Sequence, residues 1–256
     1  MIFLFLLLIV GISAGFLGAL LGLGGGIVIV PALTLIPYFH MTIHEAIAIS
    51  MTGVLATSLG GTSRFLSEGL TDLKLGTLLM LGTTSGAIAG SLLSHTLKSN
   101  VLEMVFPLVL FYASYEMLKH QFDDNDPGIP PRHALTGVGL AFLAGVFAGV
   151  FGVGGGAINV SVMHLVMGAP MKTATATSNF MIGTTASAAT FVYLLKGAIN
   201  LYAATPVVLG VFTGAQIGSR LLKRINTVLL KRIFVVIMLL VAFEMLYHGI
   251  RGVLVR

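Results

Sequence analysis

The chain of 256 residues contains no cysteine, which excludes disulfides and thiolate metal sites. Charge is nearly as scarce: 9% of residues are charged, where a soluble domain carries about 25%. The first forty residues contain no charged side chain. So few charges cannot coat a water-facing surface. Also missing are HExxH spacing and a nucleophile elbow, and the glycine clusters resemble neither a P-loop, whose GK[ST] is absent, nor a soluble GxGxxG turn. His40 and His44 stand at i, i+4, but Pro37 and the intervening loop argue against a shared metal-binding face. The expectation is no enzyme, no cofactor and no metal. The apolar start lacks the basic n-region of a signal peptide, so it is read as a retained helix.

What is present in abundance is apolar chain. Hydrophobic residues make up 56%, and the mean hydropathy is +1.01. Uncharged stretches at Met1–His40, Ala46–Ser63, Leu75–Leu97, Ala134–Met171, Thr173–Leu195 and Gly197–Ser219 approach or exceed the roughly 20 residues of a spanning helix. They do not alternate as barrel strands do. The net charge of +5 is read as cytoplasmic loop charge rather than as a nucleic-acid surface. The partners expected are membrane lipid and a small solute, with a homo-oligomer left open.

The chain repeats itself once. Gly22–Gly26 recurs as Gly152–Gly156, and a constant offset of 128 then pairs "AIAIS" (Ala46–Ser50) with "ATATS" (Ala174–Ser178). The same offset pairs "EGLTDL" (Glu68–Leu73) with "KGAINL" (Lys196–Leu201). Residues 1–119 therefore read as a first membrane repeat and 134–256 as a second, joined by the Asp-, Pro- and Gly-rich linker 120–133. Arg220–Arg232 holds five basic residues and is expected to be cytoplasmic, whereas its counterpart Leu92–Met104 holds Lys98, His95 and Glu103. Equivalent loops then face opposite sides, with Arg64, Lys74 and Lys172 inside and Lys196 outside. The fold expected is an all-α polytopic membrane protein, two inverted repeats of about four to five hydrophobic elements each, with Gly-broken short helices meeting near the centre. Three helices per half are clear, at Glu45–Phe65, Asp72–Thr96 and Val101–Lys119 with their repeats. The leading glycine-broken unit must enter and leave on one side, as a full helix followed by a short one or as a hairpin with the glycines at its tip.

The glycine breaks are the candidate chemistry. Unwound backbone and helix N-termini near the midplane offer N–H groups and partial positive charge to an anion. Glycine permits φ > 0 and close approach of a ligand to the backbone. Gly24, Gly25, Gly26, Gly154, Gly155 and Gly156 are therefore read as substrate-binding. The four-residue spacing of Gly82, Gly86 and Gly90, and of Gly210, Gly214 and Gly218, is read as helix packing instead.

"GLGGGIVIVPAL" and "GVGGGAINVSVM", each followed by a small-residue "A-x-[AT]-x-S" stretch, resemble the sulfite exporter TauE/SafE family, also called the toluene-sulfonate uptake permease family. The resemblance runs through both halves. It implies a transporter of sulfur-containing or organic anions, sulfite- or sulfonate-like, in a bacterial inner membrane. Ser161 stands where the first half has Pro31, so the second break is expected to differ in geometry.

Polar residues complete the expected site. Asn159, Ser178 and Asn179 are assigned as further donors to the anion, with Ser50 and Thr52 in the equivalent region of the first half; interhelical hydrogen bonding is the alternative for each. His44 and Lys172, paired by the offset, and His164 are candidates for gating or coupling, with interfacial anchoring as the alternative for the first two. Glu116 and Glu244 sit at equivalent helix ends, where an interfacial position competes with a proton-carrier role. The expected mechanism is alternating access, the two halves rocking about the cradled anion, driven by a gradient of protons or of the anion itself. An anion channel, and an intramembrane scaffold or enzyme, are the rival readings.

Overall fold

The computed structural model describes residues 2–36, 38–39, 41–119, 134–221, 235–236, 238–240 and 242–247. The linker 120–133, most of the basic segment after Arg220, and His40 lie outside the described residues.

The described chain is helical, with no strand among the described residues. Helix α1 (Ile2–Leu21) ends at the first glycine cluster and α2 (Gly26–Leu35) follows it. Then come α3 (Ile43–Ser67), α4 (Leu73–Thr96) and α5 (Ser99–Lys119). The second half opens with α6 (Ala134–Phe151) and the short α7 (Gly156–Ser161), which passes into a π-helical turn at Val162–Val166. Helices α8 (Met171–Leu195) and α9 (Leu201–Leu221) follow, and the described residues among 235–247 are helical as well. Among the described residues α1, α3, α4 and α9 are long and apolar enough to cross a membrane. The protein is an integral membrane protein.

Local chemistry explains the helix ends. Thr42 caps α3 in a reciprocal box with Glu45, each side chain satisfying a backbone N–H of the other. Asp72 Oδ1 accepts from Leu75 N at 3.0 Å at the start of α4. Its counterpart Asn200 does the same for α9, accepting from Tyr202 N at 3.1 Å. The α3 and α8 ends also match, for Leu70 N donates to Phe65 O and Ala198 N donates to Tyr193 O. The repeated "EGLTDL" and "KGAINL" stretches are thus the same helix–turn–helix device used twice. Arg64 pairs with Glu68 one turn on, at 3.0 Å.

The first glycine-broken unit is a hairpin. The Phe3 ring lies 5.7 Å from Phe39 and 6.1 Å from Tyr38, so the chain after α2 returns to the level where α1 began. Both glycine breaks adopt one geometry, contrary to the expectation drawn from Ser161. Gly22, Gly24 and Gly25 have φ of 71°, 81° and 78°, and Gly152, Gly154 and Gly155 have 71°, 77° and 70°. The difference appears downstream, where α2 continues as an α-helix through Pro31 but the second half widens to a π-turn after Ser161. Pro31 is the sixth residue of α2, where it removes one i→i−4 bond, and it is not needed for the break, which the glycines make.

Two glycine-lined seams set the register. Gly11 sits against Val207 and Gly210, Gly15 against Val211, and Gly218 against Phe16, so α1 and α9 run side by side in the same direction. Gly82 sits against Val138, Gly86 against Phe142 and Gly90 against Val146, which aligns α4 with α6 in the same way. Each seam joins one helix from each half. Helix α3 also runs with α9, Gly53 facing Val207 and Val211 and Gly60 facing Phe212 and Ala215. Helix α4 runs with α8, through Asp72 to Thr177 and Thr83 to Thr185. Helix α3 is a central element, 72% buried over its apolar window where α1, α4 and α9 are each 44% buried. Large apolar side chains such as Leu81, Phe191 and Leu195 stand exposed on the outside, as lipid-facing positions require.

Candidate functional site

The two glycine breaks meet each other. A Cβ added at Gly26 would fall against the Gly152 carbonyl and within 2.9 Å of Val153 Cα. One added at Gly156 would fall against the Gly22 carbonyl and 2.8 Å from Leu23 Cα. The contact is reciprocal. Beside it, Gly22 packs on Thr175 of α8 and Gly152 packs on Ile47 of α3, residues that the repeat offset makes equivalent.

Between the turns lie two side chains that sequence reasoning did not single out. Val54 Cγ1 comes within 2.9 Å of a Cβ position at Gly24 and 2.7 Å of one at Gly154. Ile182 Cγ2 approaches the same two positions at 3.3 and 3.5 Å. Val54 and Ile182 are themselves equivalent by the offset and both are fully buried. They come from the middles of α3 and α8, so both breaks sit at mid-depth of the two central helices. The offset was the available signal for this pair.

The electrostatics follow from the backbone. Gly25 and Gly155 cap α2 and α7 in the left-handed conformation and neither provides a side-chain hydrogen bond. The first amides of any helix lack intrahelical acceptors, and a partial positive charge accumulates there. Two uncapped N-termini thus converge on one point.

The polar residues divide into those that hold the turns and those that do not. Ser50 Oγ donates to Gly152 O at 2.7 Å. Ser178 Oγ donates in the opposite sense, to Gly22 O at 3.3 Å and Gly156 O at 3.4 Å. Thr57, also not foreseen, donates from Oγ1 to Gly24 O at 3.0 Å. These hydroxyl protons are spent on carbonyls exposed by the breaks. Ser50→Ala is expected to lower stability by about 1–2 kcal/mol, because it leaves a buried carbonyl unpaired. Ser178→Ala is expected to cost less, since its bonds are longer; thermal melting of the two variants checks the order.

The remaining candidates are more scattered. Thr52 Oγ1 donates within its own helix, to Ile49 O at 2.6 Å. Asn159 lies one turn into α7, its N–H bonded to Gly155 O, and it is 1% exposed. Both ends of its amide side chain lack a partner among the described residues. Asn179 is fully buried, with Nδ2 donating to Thr175 O at 3.2 Å and Oδ1 unpartnered. His44 joins the end of α4 to the start of α5: Nε2 lies 3.1 Å from Ser94 O and 3.2 Å from Leu97 O, and Nδ1 lies 3.2 Å from Ser99 Oγ. Both nitrogens are therefore engaged. His164 Nδ1 is 2.9 Å from Ala169 O, closing the loop after the π-turn. Lys172 is exposed in the first turn of α8, and Glu244 is exposed. The Glu116 side chain lies outside the described residues. No cluster of three or more His, Cys, Asp or Glu exists among the described residues to hold a metal ion.

An all-helical membrane bundle whose buried centre is a pair of facing helix breaks has the architecture of a membrane transporter. The chain belongs to the sulfite exporter TauE/SafE family, whose family model matches residues 7–245. It is 28% identical over 267 residues to the probable membrane transporter protein YunE of Bacillus subtilis, covering 96% of this chain and 98% of that protein. It is 25% identical over 250 residues to the probable membrane transporter protein YfcA of Escherichia coli K12, covering 95% and 90%. No solved structure matches the chain at a significant level.

Proposed function

We propose that the chain is a secondary transporter that moves a small sulfur-containing or organic anion across the bacterial inner membrane by alternating access. The observation that carries this reading is the convergence of two uncapped glycine turns, Gly24–Gly26 and Gly154–Gly156, around Val54 and Ile182. Backbone amides supply the attraction, and the absence of a cationic side chain from these contacts lets the anion leave again. Asn159 adds an amide one turn away. Val54 and Ile182 close the space between the turns, so loading the site requires the two halves to separate there.

Residues 1–119 and 134–256 act as inverted halves in this mechanism. Helix direction supports the inversion. Helix α3 runs with α9, which is the counterpart of its own antiparallel neighbour α4; α4 likewise runs with α8, the counterpart of α3. Each half therefore meets the other upside down, and rocking one against the other exposes the same site to either side.

Proteoliposomes containing the purified chain test the reading with radiolabelled sulfite, sulfoacetate, taurine and a small carboxylate. Saturable uptake of at least one of these, with counterflow exchange, is the expected result. Val54→Ala is expected to widen the selectivity toward larger sulfonates, because it removes two methyl groups from between the turns. Uptake no faster than in protein-free liposomes for every anion would overturn the proposal, and large non-saturating currents would replace the carrier with a channel.

A further inference from the structure

The internal repeat supplies its own control. Three buried positions that are apolar in the first half are polar in the second: Ile29 becomes Asn159, Ile47 becomes Thr175, and Met51 becomes Asn179. Ile29, Ile47 and Met51 are all 0% exposed, so the fold is satisfied by hydrocarbon at these places. Their polar counterparts are buried equally well and leave polar atoms without partners: both amide ends of Asn159, Thr175 Oγ1 and Asn179 Oδ1. Each such atom destabilises the fold while it stays unpaired. A fold that does not need them retains them for a ligand.

Thr175 and Asn179 define one location. They are four residues apart on one face of α8, tied by the Asn179 Nδ2 bond to Thr175 O. The Thr175 methyl packs on Gly22, just past the end of α1, and its Oγ1 is left without a partner among the described residues. A Cβ placed at Gly61 would lie 3.9 Å from both Asn179 Oδ1 and Ala19 Cβ, so the amide oxygen and the last turn of α1 border the same glycine. The unpartnered atoms of Thr175 and Asn179 are both oxygens, and their residues pack near the C-terminal end of α1. Carbonyls there lack intrahelical donors and carry partial negative charge. Among the described residues the Gly22 carbonyl accepts the 3.3 Å bond from Ser178 and packs against Gly156.

Such a set attracts a cation and repels an anion. One of the two amide N–H groups of Asn179 is committed to Thr175 O, and its oxygen is left without a partner among the described residues. Neutral oxygens without a carboxylate suit a monovalent ion, since Ca²⁺ and Mg²⁺ sites are built around carboxylates. We propose that Thr175 Oγ1, Asn179 Oδ1 and the carbonyls ending α1 bind Na⁺. Its role as the coupling ion rests on the transport reading above; its binding does not.

The test is the melting of the purified full-length chain in NaCl against choline chloride and KCl at equal ionic strength and pH. Wild type is expected to be stabilised saturably by Na⁺ alone. Asn179→Met and Thr175→Ile install the residues that the first half already buries at these positions, so both variants are expected to fold and to melt at or above wild type in choline chloride. Each is expected to weaken the apparent Na⁺ affinity by roughly tenfold or more, the scale on which metal sites respond to the loss of a supporting group. Equal melting of wild type in NaCl and choline chloride, with no binding of radiolabelled Na⁺, overturns the proposal and leaves the buried oxygens to water. So does an undiminished Na⁺ shift in both variants. Anion uptake in liposomes is measured separately: uptake without any Na⁺ shift removes the cation site alone, and a Na⁺ shift without uptake of any anion removes the anion reading alone.

Discussion

Gly26→Ala and Gly156→Ala are each expected to abolish transport and to lower stability by about 3 kcal/mol or more, at and beyond the upper end of ordinary overpacking. A single methyl group suffices because its neighbours are backbone. At Gly26 the new Cβ meets the Gly152 carbonyl, Val153 Cα at 2.9 Å and Ser50 Oγ at 2.9 Å. At Gly156 it meets the Gly22 carbonyl, Leu23 Cα at 2.8 Å and Ile182 Cδ1 at 2.8 Å. Main-chain atoms cannot rotate aside as a side chain does. The two turns must move apart, and the site formed between them is lost. Neither glycine has a positive φ, so the cost comes from close approach and not from backbone strain. Gly139→Ala is the control. It lies within α6 with nothing within 4 Å of its Cβ position, and is expected to leave transport intact and to add up to about 1 kcal/mol of stability. Melting curves and uptake measured on the same preparations check all three. Wild-type behaviour of both Gly26→Ala and Gly156→Ala would show that the turns do not touch.

Gly86→Leu and Gly214→Leu are expected to prevent recovery of folded protein, each by prising open one seam. The Gly86 Cβ position falls on the Phe142 carbonyl, with Val146 N at 2.9 Å, and that of Gly214 falls on the Ile12 carbonyl, with Phe16 N at 2.9 Å. In lipid no hydrophobic gain between helices compensates for separation, because the tails are as apolar as leucine. Association rests on close packing, which these glycines permit. The milder Gly86→Ala and Gly214→Ala variants are expected to remain folded but weakened by about 2 kcal/mol each, and by nearly equal amounts. Equality is the informative part. The seams α4–α6 and α1–α9 exchange under the repeat, so similar contacts on both should respond similarly. The double alanine variant is expected to add the two losses, since the seams share no residue. Fluorescence-monitored melting in detergent measures each value, and a cost confined to one seam would contradict the equivalence.

Much of this architecture was legible before any coordinates. The scarcity of charge, the long apolar runs and the constant repeat offset are enough to determine a membrane bundle of two related halves. The helix breaks at Gly22–Gly26 and Gly152–Gly156 follow from local backbone preference, and so do the caps at Thr42, Asp72 and Asn200, although these were not read from the sequence. All of these depend on neighbours in the chain or on the solvent each face meets, so composition and spacing record them. What the glycine breaks do to one another is a different matter. Only the tertiary structure brings Gly26 onto the Gly152 carbonyl and places Val54 and Ile182 between the turns. The same packing commits the hydroxyls of Ser50, Ser178 and Thr57 to backbone carbonyls, and ties His44 across the α4–α5 junction. Those contacts link residues about 30 to 150 positions apart. The four-residue glycine spacing marks the seams, but which helix each seam faces, and in what register, is decided only by the tertiary packing.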